Sequence, residues 1–164
     1  MLKKKQLLLV ISILLAAIAV QKCSAYSMVS GRFDDYTNHP CIRKCSNDEK
    51  PMVCEYEFVL ETYSTLSRAC AMCPQNPADC LREHCIAANG FQKLIYTANR
   101  LLPGPSIQVC KNDTIVVHVE NRLEADLVTA IHWHGIRQKN RNHMDGPPMI
   151  TQCPIMRNHR MKYE

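Results

Sequence analysis

One apolar stretch stands apart from the rest of the chain. Leu7 to Val20 is apolar except for Ser12, and it follows three consecutive lysines. Cys23-Ser24-Ala25 then supplies small residues of the kind at which a signal peptidase cuts. Because a membrane helix needs about 20 apolar residues, this run is short for an anchor. We therefore predict a signal peptide over residues 1–25 and a secreted product without a membrane span.

Beyond residue 25, apolar and polar residues often alternate with period two, which is typical of strands with one buried face. Strands are predicted at five places: Val53–Leu66, Phe91–Thr97, Ile107–Cys110, Thr114–Glu120 and Leu127–Trp133. Turn-forming residues separate the later strands, such as Asn89-Gly90 and Lys111-Asn112-Asp113. Short strands divided by frequent turns predict an all-β sandwich or barrel.

Cysteines change this picture in the first half of the mature chain. The sequence has ten cysteines, and removal of the signal peptide would take Cys23 and leave an odd number. Most of the others lie between Cys41 and Cys85, where apolar residues are too few for a core, so cross-links would have to hold that part together. We divide the mature chain into a cysteine-rich loop region, residues 26–85, and a β-rich region, residues 86–155.

The pair Cys70-x-x-Cys73 has three interpretations: a redox motif, a zinc site or two disulfide halves. A zinc site usually has its second pair of ligands a dozen or more residues further on, and Cys80 and Cys85 are closer than that. Export also favours disulfides. The sequence leaves their connectivity open.

Charge excludes one class of partner. Lysines and arginines exceed acids by five, but four of those charges lie in the predicted signal peptide. The mature chain is therefore nearly neutral and is not expected to bind nucleic acid. Asn112-Asp113-Thr114 is a sequon, so export would permit a glycan there.

The most informative pattern is His132-Trp133-His134-Gly135. On a strand, residues i and i+2 share a face, so His132 and His134 would present two imidazoles side by side while Trp133 turns into the packing. Imidazoles suit copper, zinc, iron and nickel. Taken alone, the pattern also fits two strand histidines that bind no metal.

Further motifs surround the two histidines. Leu102-Pro103-Gly104-Pro105 lies upstream, and Asp145-Gly146-Pro147 and Thr151-Gln152-Cys153-Pro154-Ile155 lie downstream. This succession resembles the first cupredoxin domain of multicopper oxidases, the laccases in particular. The segment from Cys54 to Ile86 looks similar to the cysteine-rich amino-terminal region of insect laccases.

The resemblance implies a fold, a cofactor and a reaction. The fold would be a cupredoxin-like (plastocyanin-like) Greek-key β-sandwich or barrel, and the cofactor copper. By residue match, His132 would bind the lone copper of a trinuclear cluster and His134 one of the paired coppers. Asp145 would assist proton delivery. The full-length family oxidises phenols and diphenols and reduces oxygen to water. Cys153 would pair with a cysteine that this chain lacks.

The chain also departs from the family pattern. A second His-x-His, a His-x-x-His-x-His and a His-Cys-His cluster are not found in the sequence. Met156 to Glu164 is predicted to be a basic polar tail outside the family, without a strand. We therefore expect a truncated laccase-like oxidase with an incomplete cupredoxin domain, which by itself would not oxidise phenols.

The residues are also compatible with two other functions. The cysteine-rich region could serve a secreted interaction module that binds a partner without catalysis. Alternatively, His132 and His134 could form a weak open site in a small copper-binding protein.

Overall fold

The computed structural model describes residues 35–164, so the predicted signal peptide and its cleavage site lie outside the described residues. Four strands form one mixed sheet: β1 (Val53–Ser64), β2 (Leu94–Ala98), β3 (Thr114–Arg122) and β4 (Arg160–Tyr163). The spatial order is β2-β1-β3-β4. The central strands β1 and β3 run parallel, and each pairs antiparallel with its outer neighbour. Three short 3-10 helices cover Arg68–Cys70, Pro77–Leu81 and Asn142–Met144.

The core lies on one face of β1 and β3. Alternation along β1 buries Tyr56 and Phe58, as the period-two pattern predicted, and these side chains pack with Val117 and Val119 of β3. Val59 is also buried, so the centre of β1 is covered on both faces. The range predicted as a cysteine-rich loop region thus contains the strand at the centre of the sheet.

Disulfides cross-link the chain around this sheet, and Cys41–Cys54 attaches the segment before β1 to that strand. The pairs are Cys41–Cys54, Cys45–Cys110, Cys70–Cys85 and Cys73–Cys80. Cys70 and Cys73 therefore belong to two different disulfides, which confirms the disulfide interpretation of that motif. Cys153 is disulfide-bonded as well, and no cysteine of the described part is free. The expectation that Cys153 has no partner in this chain is therefore not confirmed.

An enclosed carboxylate reinforces the same attachment. Asp113 accepts two hydrogen bonds from the Arg43 guanidinium, at 2.8 and 2.9 Å, and one each from the backbone N–H groups of Met52 and Cys110. The Arg43 guanidinium and these N–H groups hold the pKa of Asp113 well below its usual range. Four hydrogen bonds on one side chain thus join the segment before β1 to the turn before β3.

Two predicted strands do not form. Residues 107–110 are irregular, and Leu127–Trp133 contributes only one bridge, between Thr129 and Ile155. Near that bridge the backbone groups bond to side chains: Asn121 Nδ2 donates to the carbonyls of Leu127 and Ile155, both at 2.8 Å. These side-chain partners replace those of a neighbouring strand, and period-two patterning does not reveal them.

The prediction that Met156–Glu164 is a tail without a strand is wrong. Arg160–Tyr163 forms β4, in which Tyr163 is 2% exposed. The guanidinium of Arg160 pairs with Glu120, a buried residue of β3, at 3.1 Å. The charged side chains that made the segment look solvated are therefore partly used to bind it to the sheet.

Candidate metal site

The two predicted ligands lie on a short irregular segment anchored at Thr129. The N–H and carbonyl of Thr129 bond to the carbonyl and N–H of Ile155, at 3.1 and 2.7 Å. The burial of side chains then alternates: His132 and His134 are exposed, whereas Trp133 between them packs against the core cluster. The imidazole centroids of His132 and His134 are 5.7 Å apart, with the ring planes at 81°. The side-by-side arrangement is thus present without a regular strand.

A backbone contact fixes the tautomer of His132. Its Nδ1 lies 2.7 Å from the carbonyl oxygen of Asp145. A carbonyl oxygen can only accept, so Nδ1 must carry the proton. In the neutral ring, Nε2 then keeps a free lone pair, and half of the side chain is exposed. This arrangement is the usual one for a metal-binding histidine, whose second nitrogen donates to a carbonyl or carboxylate.

Asp145 presents its carboxylate beside the same ring. Oδ1 lies 3.4 Å from His132 Nδ1, and the side chain is about one-third exposed. The residue therefore contacts His132 twice, through its carbonyl oxygen and through its carboxylate. The three predicted site residues are brought together, since the His132 ring is close to both Asp145 and His134.

Gly146 allows Asp145 to contact His132. The sequence did not indicate that only glycine fits at this position. The φ of Gly146 is +102°, and a Cβ built on it would collide with the carbonyl oxygen of Ile131 and lie 2.7 Å from Cα of His132. Any side chain would push the Asp145–Pro147 segment away from the histidine backbone. The Asp-Gly pair thus combines a hydrogen-bond acceptor with the close approach that brings it to His132.

His134 is the less constrained of the two predicted ligands. Within residues 35–164, its ring makes no hydrogen bond, and it is exposed. Either nitrogen can therefore accept a metal, and the ring can rotate to meet one.

The structure also contains a cluster with metal-ligand atoms away from the histidines. Sulfur atoms of Cys41 and Cys54 and a carboxylate oxygen of Asp113 lie within 4.8 Å of one another. The two sulfurs form a disulfide, and the carboxylate bonds to Arg43. Disulfide sulfur is not a thiolate ligand, so this cluster is structural.

The structure is thus a β-protein in which an irregular segment beside the sheet carries two accessible imidazoles, one with a fixed tautomer. Comparison with known sequences specifies it further: the profile of the multicopper oxidase family matches residues 80–164. The chain therefore belongs to the multicopper oxidase family. The match includes residues 156–164, which the sequence analysis placed outside the family.

Similar proteins agree with this assignment. The chain is 49% identical to oxidoreductase OpS5 of Beauveria bassiana over 70 residues, which is 43% of this chain and 12% of that protein. It is 49% identical to laccase-1 of Cryptococcus neoformans var. grubii over 67 residues, 41% of this chain and 10% of that protein. The chain thus spans about a tenth of the length of these relatives.

Structural comparison supports the predicted fold. A laccase from B. aclada superposes with a TM-score of 0.53 at 30% identity, over 71% of this chain and 18% of that structure. A blue copper oxidase from Nitrosomonas europaea, 23% identical, shares the fold with a TM-score of 0.50, over 66% of this chain and 27% of that structure. The all-β cupredoxin-type prediction is confirmed, and the described part forms one open mixed sheet. Among the described residues, no helix is long and apolar enough to cross a membrane.

Proposed function

We propose that this chain is the copper-binding amino-terminal part of a laccase-type oxidase, with His132 and His134 as its ligands. The observation that carries the proposal is the 2.7 Å hydrogen bond from His132 Nδ1 to the Asp145 carbonyl. It leaves Nε2 free as a donor atom, next to a second exposed imidazole. Imidazole nitrogen is a good ligand for copper, and the family of the chain is named for that metal.

The proposed reaction is the oxidation of phenols and diphenols with the reduction of oxygen to water. Copper, when bound, supplies the one-electron redox chemistry that such a reaction needs. In this chain, His132 and His134 hold the metal, and the Asp145 carbonyl keeps the His132 ring in one orientation. The Asp145 carboxylate is placed to hold and release a proton beside that ring. Two imidazoles alone are not a complete oxidase site, so we expect this chain by itself to show no phenol oxidation.

We also propose that the chain is exported and carries a glycan at Asn112. Four disulfides in the described part favour an oxidising compartment. Asn112 is exposed in the turn before β3, as an acceptor for a glycan must be. A drop in mass after enzymatic deglycosylation of the secreted protein, absent in Asn112→Gln, is the expected result.

Trp133 provides a local probe of copper binding, because it is the single tryptophan of the chain and lies between the two ligands. Addition of Cu²⁺ to the purified protein should quench its fluorescence saturably. His132→Ala/His134→Ala should abolish the saturable part, since both proposed nitrogens are lost.

The matched control is His143→Ala/His159→Ala, which removes two other exposed histidines and should leave the titration unchanged. Saturable quenching that survives the loss of His132 and His134 would place the copper elsewhere and contradict the proposal. Phenol oxidation by the copper-loaded chain alone would contradict the assignment of this chain as only a part of the site.

A further inference from the structure

The last residue of β4 reaches the histidine segment from the sheet. The hydroxyl oxygen of Tyr163 accepts a hydrogen bond from the Ile131 N–H at 3.0 Å, and a second from Nε2 of Gln152 at 3.0 Å. The ring of Tyr163 stands edge-on to Trp133, with centroids 5.4 Å apart and planes at 71°. One buried side chain thus contacts both the backbone just before His132 and the side chain just after it.

The Ile131 N–H needs this partner. Ile131 is half-buried and lies outside the regular strands, and an unpaired N–H at such a position is unfavourable. The peptide plane that carries this N–H joins Ala130 to Ile131, one peptide before the bond that leads into His132. Its orientation therefore helps to decide where the imidazole points.

Three contacts then fix the segment in succession. Thr129 is bonded to Ile155, Ile131 to the Tyr163 hydroxyl, and His132 to the Asp145 carbonyl. The middle contact is the only one of these that comes from the sheet. The sheet is the most extensively packed part of the described chain. The contact between Ile131 and Tyr163 is therefore the one best able to hold the segment still.

We propose that Tyr163 is a positioning residue for the metal ligands, acting through the backbone of Ile131 and the ring of Trp133. This inference rests on the proposed copper site at His132 and His134, and it adds a residue that neither motif nor ligand chemistry indicates. Gln152 keeps the phenol oxygen in place through its Nε2 donor. The role of β4 is then to carry this phenol to the ligand segment.

The test compares Cu²⁺ affinity in Tyr163→Phe and in the unchanged chain, by the fluorescence of Trp133. The substitution keeps the ring and removes only the hydroxyl, so we expect an apparent Kd raised roughly 3- to 30-fold. This is less than the roughly 10- to 100-fold typical for a partner that contacts the ligand directly, because Tyr163 acts through the backbone. Tyr96→Phe is the matched control, since Tyr96 is 65% exposed on β2 and should bind copper like the unchanged chain.

A general loss of stability must be told apart from positioning. Val59→Ala removes buried volume from β1 at a residue outside the core cluster on which Trp133 packs. It should lower the melting temperature without changing the Cu²⁺ affinity of the folded protein. If it weakens copper binding as much as Tyr163→Phe does, the effect is one of stability and the inference is wrong.

Failure of the inference and failure of the proposed copper site give different results. Without saturable quenching in the unchanged chain, the copper site itself is absent. If the quenching is saturable and requires His132, the copper site is present. If Tyr163→Phe then binds Cu²⁺ with the same affinity as the unchanged chain, the positioning role is overturned. Should Tyr163→Phe fail to fold, Gln152→Met removes the donor that holds the phenol oxygen, and an unchanged affinity there would also overturn the inference.

Discussion

The cross-linked region, residues 41–110, and the histidine segment, residues 129–155, are held in different ways. Four disulfides cross-link the first, and Arg43 within it binds the enclosed Asp113 carboxylate just before β3. In the second, Cys153 is disulfide-bonded near the far end, but His132 is fixed by one hydrogen bond and one close backbone contact, and the His134 ring makes no hydrogen bond among the described residues. Cross-links limit how far a chain can move, whereas ligand placement depends on directional contacts within a few ångströms. We therefore expect that the stability of the fold and the geometry of the histidine site can be changed separately.

The largest expected effect is on the cross-linked region. Cys45–Cys110 closes 65 residues and Cys73–Cys80 closes 7. From the entropy of loop closure in the unfolded chain, Cys45→Ala/Cys110→Ala should lower the free energy of unfolding by about 4 kcal/mol. Cys73→Ala/Cys80→Ala should lower it by about 2 kcal/mol. Urea unfolding measures both, with each variant folded in oxidising buffer.

Copper affinity should be similar in the two disulfide variants as long as they are folded, because neither disulfide contacts the histidine segment. Equal losses of stability would show that chain entropy does not explain the role of these bonds. A loss of copper affinity in either folded variant would contradict the separation of the two regions.

The next effect is on the histidine segment. Gly146→Ala places a Cβ against the Ile131 carbonyl and His132 Cα, so the two backbones must separate and the His132–Asp145 bond must weaken. We expect a loss of about 3 kcal/mol, as for other strained backbone substitutions, and a Cu²⁺ affinity lower by roughly tenfold or more. Thermal melting and Trp133 fluorescence measure the two effects.

Gly90→Ala is the control for the glycine conformation itself. Gly90 has φ +82°, but a Cβ there meets nothing within 4 Å. Its substitution should cost only about 1–2 kcal/mol, for the left-handed backbone, and should not alter copper binding. If Gly146→Ala behaves like Gly90→Ala, the close approach to Ile131 is unimportant.

The sequence predicted most of the regular strands and the residues of the candidate site. Period-two alternation correctly indicated β1 and most of β3, because those strands bury one regular set of side chains. The motif resemblance indicated His132, His134 and Asp145, and the structure brings these residues together. Their roles in copper chemistry and the proposed domain boundaries at residues 25, 85 and 155 stay predictions.

Other features could not be predicted because they depend on long-range contacts. Tyr163 reaches Ile131 across 32 residues and Asn121 reaches Ile155 across 34, and no local pattern marks either. β4 was missed because charged and apolar residues alternate over only four positions, Arg160 to Tyr163, and the two positive charges made the segment look solvated. The Arg160 charge pairs with the buried Glu120 of β3 and with Glu57 of β1, and residues 160–163 alone reveal neither partner.

The smallest effect appears only in acid. The Arg43 guanidinium, together with the backbone N–H groups of Met52 and Cys110, lowers the pKa of Asp113 in the folded protein. The unfolded carboxyl titrates at about 3.9. A carboxyl with a lowered folded pKa stabilises the fold above its unfolded pKa, and this stabilisation is lost as pH falls towards the folded value. The melting temperature should therefore be steady between about pH 7 and pH 5 and fall below about pH 4.

Arg43→Met tests whether this acid dependence comes from the pair. Without the guanidinium, the pKa of Asp113 rises towards or above its unfolded value, so the variant should be less stable at neutral pH and its stability should change less on acidification. An equally steep decline of the melting temperature in Arg43→Met would assign the acid sensitivity to other carboxyls, such as Glu164, whose pKa Lys162 and Arg141 also lower.

Because Cys41–Cys54 and Cys45–Cys110 keep the Arg43 segment attached when Asp113 is protonated, acid should loosen the contact between Arg43 and Asp113 without detaching the segment. The cross-linked region thus combines a charge contact that acid can break with bonds that acid leaves intact.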